Sequence, residues 1–109
     1  MPKLPEWCPV AATLEIIGGK WTPLILFHLK DQPRRFNELR RLMPTITQRM
    51  LTLQLRALED QLIVAREVKE RVPPHVEYSL TQHGLTLAPI IEAMEVWGND
   101  RRTVMADAG

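Results

Sequence analysis

A single cysteine among 109 residues rules out an internal disulfide. That agrees with a reducing compartment and leaves the Cys8 thiol to be explained. No apolar run approaches the roughly eighteen residues of a membrane-spanning helix, and the opening Met1 to Pro5 lacks the apolar core of a signal peptide. A cytoplasmic protein with no membrane partner is expected. There is no glycine-rich loop to cradle a phosphate. The three histidines, His28, His75 and His83, are not paired with the cysteine or with carboxylates at metal-ligand or catalytic spacing. Enzyme chemistry is therefore not expected, nor is a metal or any other cofactor.

What is present is the composition of a packed protein, 45% hydrophobic and 25% charged, which excludes disorder as the main state. Residues 1–109 read as a single domain, with a core modest enough for dimerisation to matter to stability. The net charge of +1 says little. Its distribution says more: residues 30–71 hold ten Lys or Arg against six acids, and the remainder hold four against seven. A basic middle between acidic ends is the footprint expected when the centre meets phosphate.

The most informative stretch runs from Thr45 to Asp60. Thr47 is a good N-cap, and Leu51, Leu55, Leu58 and Leu62 follow at helical spacing to make a narrow apolar stripe. Gln48, Arg49, Thr52 and Arg56 fall on the opposite side, and the first turns carry no acid. Gln and Arg can make bidentate contacts to adenine and guanine edges in a major groove, and an N-cap at a helix N-terminus suits a phosphate. The pattern fits a recognition helix; by itself it also fits an ordinary surface helix.

The flanking chain decides between them. Cys8-Pro9 opens a first helix carrying Val10, Leu14 and Ile17, which Gly18-Gly19 ends. Thr22-Pro23 repeats the cap-plus-proline signal before a helix that is apolar nearly all round. Arg34-Arg-Phe36 is short and extended in character, and Asn37 is expected to cap a brief helix carrying Leu39, Leu42 and Met43 to Pro44. Pro44 to Thr47 is the length of link found in helix-turn-helix units, here about 37–60. After Leu62 the period changes to two, giving strands with Val64, Arg66 and Val68, then Val76, Tyr78 and Leu80, around a proline-stiffened reversal from Glu70 to His75. This basic hairpin, about 64–80, makes the plan a winged helix: mainly α with a small β-hairpin. Thr81 caps a last helical region carrying Leu87, Ile90, Ile91, Met94 and Trp97, bent or split at Pro89, with a stop expected at Gly98-Asn99 and a frayed tail from Thr103. Its apolar surface exceeds what a small core needs. The helices at about 9–17 and 82–101 are therefore expected to form a dimer interface, with packing back onto the chain's own helices as the alternative.

These residues carry a resemblance. Cys8-Pro9, Ile17-Gly-Gly-Lys-Trp21 followed by Leu24-Ile-Leu26, Arg35-Phe-Asn-Glu-Leu39, Met50-Leu51, Leu58-Glu59, and Val76-Glu-Tyr-Ser-Leu-Thr81 with Gly84 and Trp97 occur in this order and spacing. Together they resemble the HxlR-type regulators of bacteria and archaea, winged-helix relatives of the MarR-like group. The resemblance implies a homodimer, built by its first and last helices, that binds double-stranded DNA at an inverted-repeat operator. Two positions depart from the pattern. Gln61 stands where the family usually has Gly, so that a left-handed helix stop there is strained, and Thr45 occupies a turn position often held by Gly.

The expected DNA contacts are Thr47, Gln48, Arg49, Thr52 and Arg56 from the helix and Arg66, Lys69 and Arg71 from the wing, with His75 beside them and Arg34, Arg35, Arg40 and Arg41 flanking the backbone. Leu53 is an unexplained apolar residue near that face. The expected interface residues are Val10, Leu14, Leu87, Ile90, Ile91, Met94 and Trp97. Cys8 lies at a helix start, where first-turn amides favour an anion and Glu6 opposes it. In several relatives a cysteine at the matching position senses electrophiles or oxidants, which the resemblance implies for Cys8; packing of the first helix is the simpler role. The function expected is a repressor, with an electrophile, oxidant or small molecule as inducer. A winged helix used only for protein interaction is the alternative, and it would show no steep salt dependence or sequence preference on DNA.

Overall fold

The computed structural model describes residues 7–109; Glu6 lies outside the described residues. Six helices and three strands follow in the order α1 (Pro9–Ile17), α2 (Thr22–Leu29), β1 (Arg34–Arg35), α3 (Phe36–Leu42), α4 (Gln48–Asp60), β2 (Val64–Lys69), β3 (His75–Leu80), α5 (Gln82–Leu85) and α6 (Ala88–Ala108). No single helix among the described residues is long and apolar enough to cross a membrane.

Ile25, Leu26 and Leu29 make α2 the buried centre, against which Leu39 from α3 and Met43 just after it, Leu51, Leu55 and Leu58 from α4, and Ile91 from α6 are packed. Thr22 is not the cap of α2. It lies inside the first turn, 7% exposed, and its hydroxyl donates to Gln54 Oε1 at 3.0 Å. Asn37 likewise does not cap α3. Arg35 holds that position, and the Glu38 carboxylate accepts from the Arg35 amide at 3.3 Å, because a glutamate three residues into a helix can reach back to a free N–H.

The sheet has three strands, not two, in the order β1-β3-β2, all antiparallel. Arg34 and Arg35 pair with Tyr78 and Glu77, while β2 and β3 run in register from Val64 opposite Leu80 to Lys69 opposite His75. The two residues of β1 are too few for alternation to reveal a strand.

At the end of α4 the buried stripe stops at Leu58, one leucine short of its extrapolation. Leu62 is 70% exposed and Ile63 is buried in its place. Gln61 keeps an ordinary backbone, φ −88°, and the left-handed residue is Leu62, φ 62°. The Ile63 amide reaches the Leu58 carbonyl at 3.0 Å and the Leu62 amide reaches Glu59 at 3.0 Å, the two bonds of a Schellman stop. Gln61 therefore needs no left-handed conformation, and the strain falls one residue later. Behind this stop, the Thr81 hydroxyl accepts from the Gly84 amide at 2.9 Å, and a Cβ on Gly84 would lie 2.1 Å from the Ile63 carbonyl oxygen. Only glycine lets α5 approach the chain leading into β2 this closely.

Pro89 does not bend one helix but begins another, since α5 and α6 are separate and the proline occupies the first turn of α6. The stop expected at Gly98-Asn99 is absent. Helix α6 runs on to Ala108, so the tail from Thr103 is helical. Glycine and asparagine lower helix propensity without forbidding the interior of a helix.

Candidate DNA-binding surface

The Thr47 hydroxyl accepts from the Met50 amide at 3.0 Å and so fixes the start of α4. With Leu51, Leu55 and Leu58 buried, the opposite face is turned outward. Gln48, Arg49, Thr52, Leu53 and Arg56 line one open hollow of about 470 Å³. Among the described residues, the side chains of Gln48, Arg49 and Arg56 have no hydrogen-bond or ion-pair partner. Their donors are available to an acceptor from outside. Thr52 is different: its hydroxyl donates to the Gln48 carbonyl at 2.9 Å, back into its own helix.

Gln54, which sequence reasoning passed over, takes no part in that face. It accepts from Thr22 and lies 3.5 Å from the Met50 sulfur, so it ties α4 to α2. No periodicity links positions so far apart in sequence.

In the wing, Arg66 and Arg71 are exposed and without an acidic partner among the described residues. The turn projects, with Val72 94% exposed at its tip. Lys69 is less available than expected, because its Nζ lies 2.7 Å from Glu67. Glu67 sits directly opposite Glu77 in the register, and each acid has a cation or histidine on its own strand. His75 Nε2 lies 2.8 Å from Glu77 Oε2, and its Nδ1 lies 3.1 Å from the Pro73 carbonyl oxygen. The hydrogen bond from His75 holds the Glu77 carboxyl below the usual glutamate range, helped by the charges of Lys69, His75 and Arg71 and opposed by partial burial.

Arg34 is not a free cation on this face. Its Nε donates to the His28 carbonyl at 2.9 Å and its guanidinium bonds Glu38 at 2.9 Å, which fastens β1 to the end of α2 and the start of α3. Arg35, Arg40 and Arg41 are exposed.

The expected interface residues divide. Ile91, 4% exposed, belongs to the core, and Leu87 packs against it, so neither presents a full side chain to a partner. Val10, Leu14, Ile90, Met94 and Trp97 are exposed, and the first four border a groove of about 660 Å³ between α1 and α6. Cys8 is exposed at the N-cap of α1, and its side chain makes no capping bond.

A helix packed across another that presents donors on its outer face, followed by a basic hairpin, defines a winged helix-turn-helix DNA-binding protein. Residues 16–105 match the HxlR-like helix-turn-helix family. Over 100 residues the chain is 57% identical to YybR of Bacillus subtilis, an HTH-type transcriptional regulator, covering 92% of this chain and 80% of that one. The reduced form of the redox regulator HypR superposes with a TM-score of 0.84 at 55% identity, covering 92% of this chain and 99% of HypR. Diamide-treated YodB of B. subtilis superposes with a TM-score of 0.71 at 35% identity, covering 86% and 94%. The chain belongs to the HxlR family of transcriptional regulators.

Proposed function

We propose that the protein is a homodimeric, cytoplasmic repressor that recognises an inverted-repeat operator, with α4 of each protomer in the major groove and each wing against the flanking backbone. The observation that carries this is the outward face of α4, where Gln48, Arg49 and Arg56 line one hollow without an internal partner. Gln48 and Arg49 read base edges, Thr47 sits against phosphate, and Arg66 and Arg71 extend the contact from the wing. Lys69 joins them only by leaving Glu67. Repression follows from occupancy of a promoter.

Cys8 is the redox-responsive group in this reading. It is exposed at a helix start, and similar proteins include the redox regulator HypR and YodB in its diamide-treated form. With one thiol in this sequence, disulfide formation driven by diamide would join two chains or couple Cys8 to a small thiol.

Selection of bound DNA from a random pool, with and without diamide, tests both parts. Arg49→Ala is expected to relax base preference by about 1–3 kcal/mol at one position, and Arg71→Ala to weaken all sequences alike. Equal loss on specific and random DNA for Arg49→Ala would remove α4 as the reading element. Unchanged binding after diamide, in wild type as in Cys8→Ser, would remove the redox role.

A further inference from the structure

We propose that Leu53, together with the methyl group of Thr52, recognises the C5 methyl of a thymine in each operator half-site, between the bases reached by Arg49 and Arg56. This rests on the reading of α4 as the DNA-entering helix and adds to it a specificity determinant that is not a hydrogen-bond donor.

Leu53 is half exposed on a helix whose other leucines are all buried. Its neighbours in the hollow are Gln48, Arg49, Thr52 and Arg56. A second protein seated on this patch would have to desolvate Arg49 and Arg56, with no acid in the first turn of α4 to compensate them. A major groove satisfies the whole ring at once, because phosphates and purine edges take the cations and the amide. The thymine methyl is the apolar group that the base edges present there. Thr52 strengthens the case. Its hydroxyl proton is engaged at the Gln48 carbonyl, 2.9 Å away, so the side chain has no donor left for a partner and offers its methyl and an acceptor oxygen. Residues 52 and 53 thus form an apolar step between donors on either side, and readout at that step is by shape and burial. The apolar surfaces of α1 and α6 lie on other helices, so Leu53 is not accounted for by that interface.

The test uses the full chain and a site obtained by selection. Each thymine of one half-site is replaced in turn by deoxyuridine, which pairs identically and lacks only the methyl, and affinity is titrated for wild type, Leu53→Ala and Arg49→Ala. Alanine at an exposed helix position preserves the fold. One thymine whose replacement weakens wild type by about fourfold, the effect of burying a single methyl, and leaves Leu53→Ala unchanged is the expected result. Uniform indifference to deoxyuridine, or the same sensitivity in Leu53→Ala, overturns the proposal while α4 reading stands through Arg49→Ala. Loss of base preference in neither variant overturns both. Dissociation of Leu53→Ala into monomers in sedimentation also overturns it, since Leu53 would then be a protein contact.

Discussion

The Thr22 hydroxyl donates to Oε1 of Gln54 at 3.0 Å and so joins the first turn of α2 to the middle of α4. Both groups are partly or fully withdrawn from water, and the bond sets how α4, the proposed reading helix, sits on the core. Thr22→Val keeps the side-chain shape and leaves the Gln54 carbonyl unpaired, with an expected loss of about 1–2 kcal/mol in urea unfolding. Adding Gln54→Leu removes the second polar group, and the double variant is expected to recover part of that loss. Strict additivity in this double-mutant cycle would show that the bond contributes nothing. Operator affinity should fall in each single variant while binding to random DNA changes little, because orientation of α4 matters to base contacts more than to phosphate attraction.

The left-handed backbone of Leu62 supplies a second expectation. A β-carbon in this conformation costs about 1–2 kcal/mol, and the exposed side chain recovers little by burial. Leu62→Gly removes the steric penalty while adding some freedom to the unfolded chain, so the variant is expected to gain roughly 0.5–1 kcal/mol. Equilibrium denaturation measures it; a loss of stability would mean that Leu62 makes a contact outside the monomer.

This position also marks where the sequence was legible and where it was not. Leucine spacing located α4, the switch to period two located β2 and β3, and Thr47 and Thr81 marked helix starts that the structure has. These signals are local and repeat several times. The stop of α4 depends on which single residue turns left-handed, and the leucine stripe, extended to Leu62, runs past it. Helix α6 passes through Gly98-Asn99 because its backbone stays paired within the helix, a cooperative property that two weak residues do not reveal. On α4, which face was turned outward could be read from the leucines. That Lys69 is paired with Glu67, that Arg34 is fastened to Glu38, and that Gln54 anchors α4 depend on side-chain partners within and beyond each element, and hydrophobic periodicity does not report them.

Acid should weaken the fold through Glu38 and His28. The hydrogen bond from Arg34 holds the Glu38 carboxyl below its ordinary range, with the Arg35 amide and the charges of Arg34 and Arg41 adding to it and burial opposing. Burial, and then the charge of Arg34, lowers His28. Both groups take up a proton more readily when unfolded. Their contributions are therefore complete above the unfolded values and are lost as pH falls through the folded ones, first His28 below the usual histidine range and then Glu38 below the usual glutamate range. Urea unfolding between pH 8 and pH 3, values chosen to span about the reference pKa values of both side chains, is expected to show stability falling on acidification. Glu38→Gln should be less stable at neutral pH and show a shallower fall at the acid end. An unchanged acid limb would mean that the Arg34–Glu38 bond does not persist in solution.

The exposed apolar residues of α6 continue past the core. Ile90, Met94 and Trp97 are followed by Val104 and Met105, on a helix of 21 residues whose second half is wholly exposed. In the proposed homodimer a second copy would cover this stripe, beside Val10 and Leu14, with the same stripe in return. Met94→Glu places a charge in the groove bordered by Val10, Leu14 and Ile90 without touching the monomer core. The variant is expected to keep its helix content by circular dichroism, to sediment as a monomer, and to lose roughly a hundredfold in affinity for the inverted repeat, because the two half-sites no longer act together. Affinity for an isolated half-site should be unchanged. A variant that still sediments as a dimer would place the interface away from α1 and α6, and one that loses half-site binding equally would show that the groove serves the fold of the protomer and not its pairing.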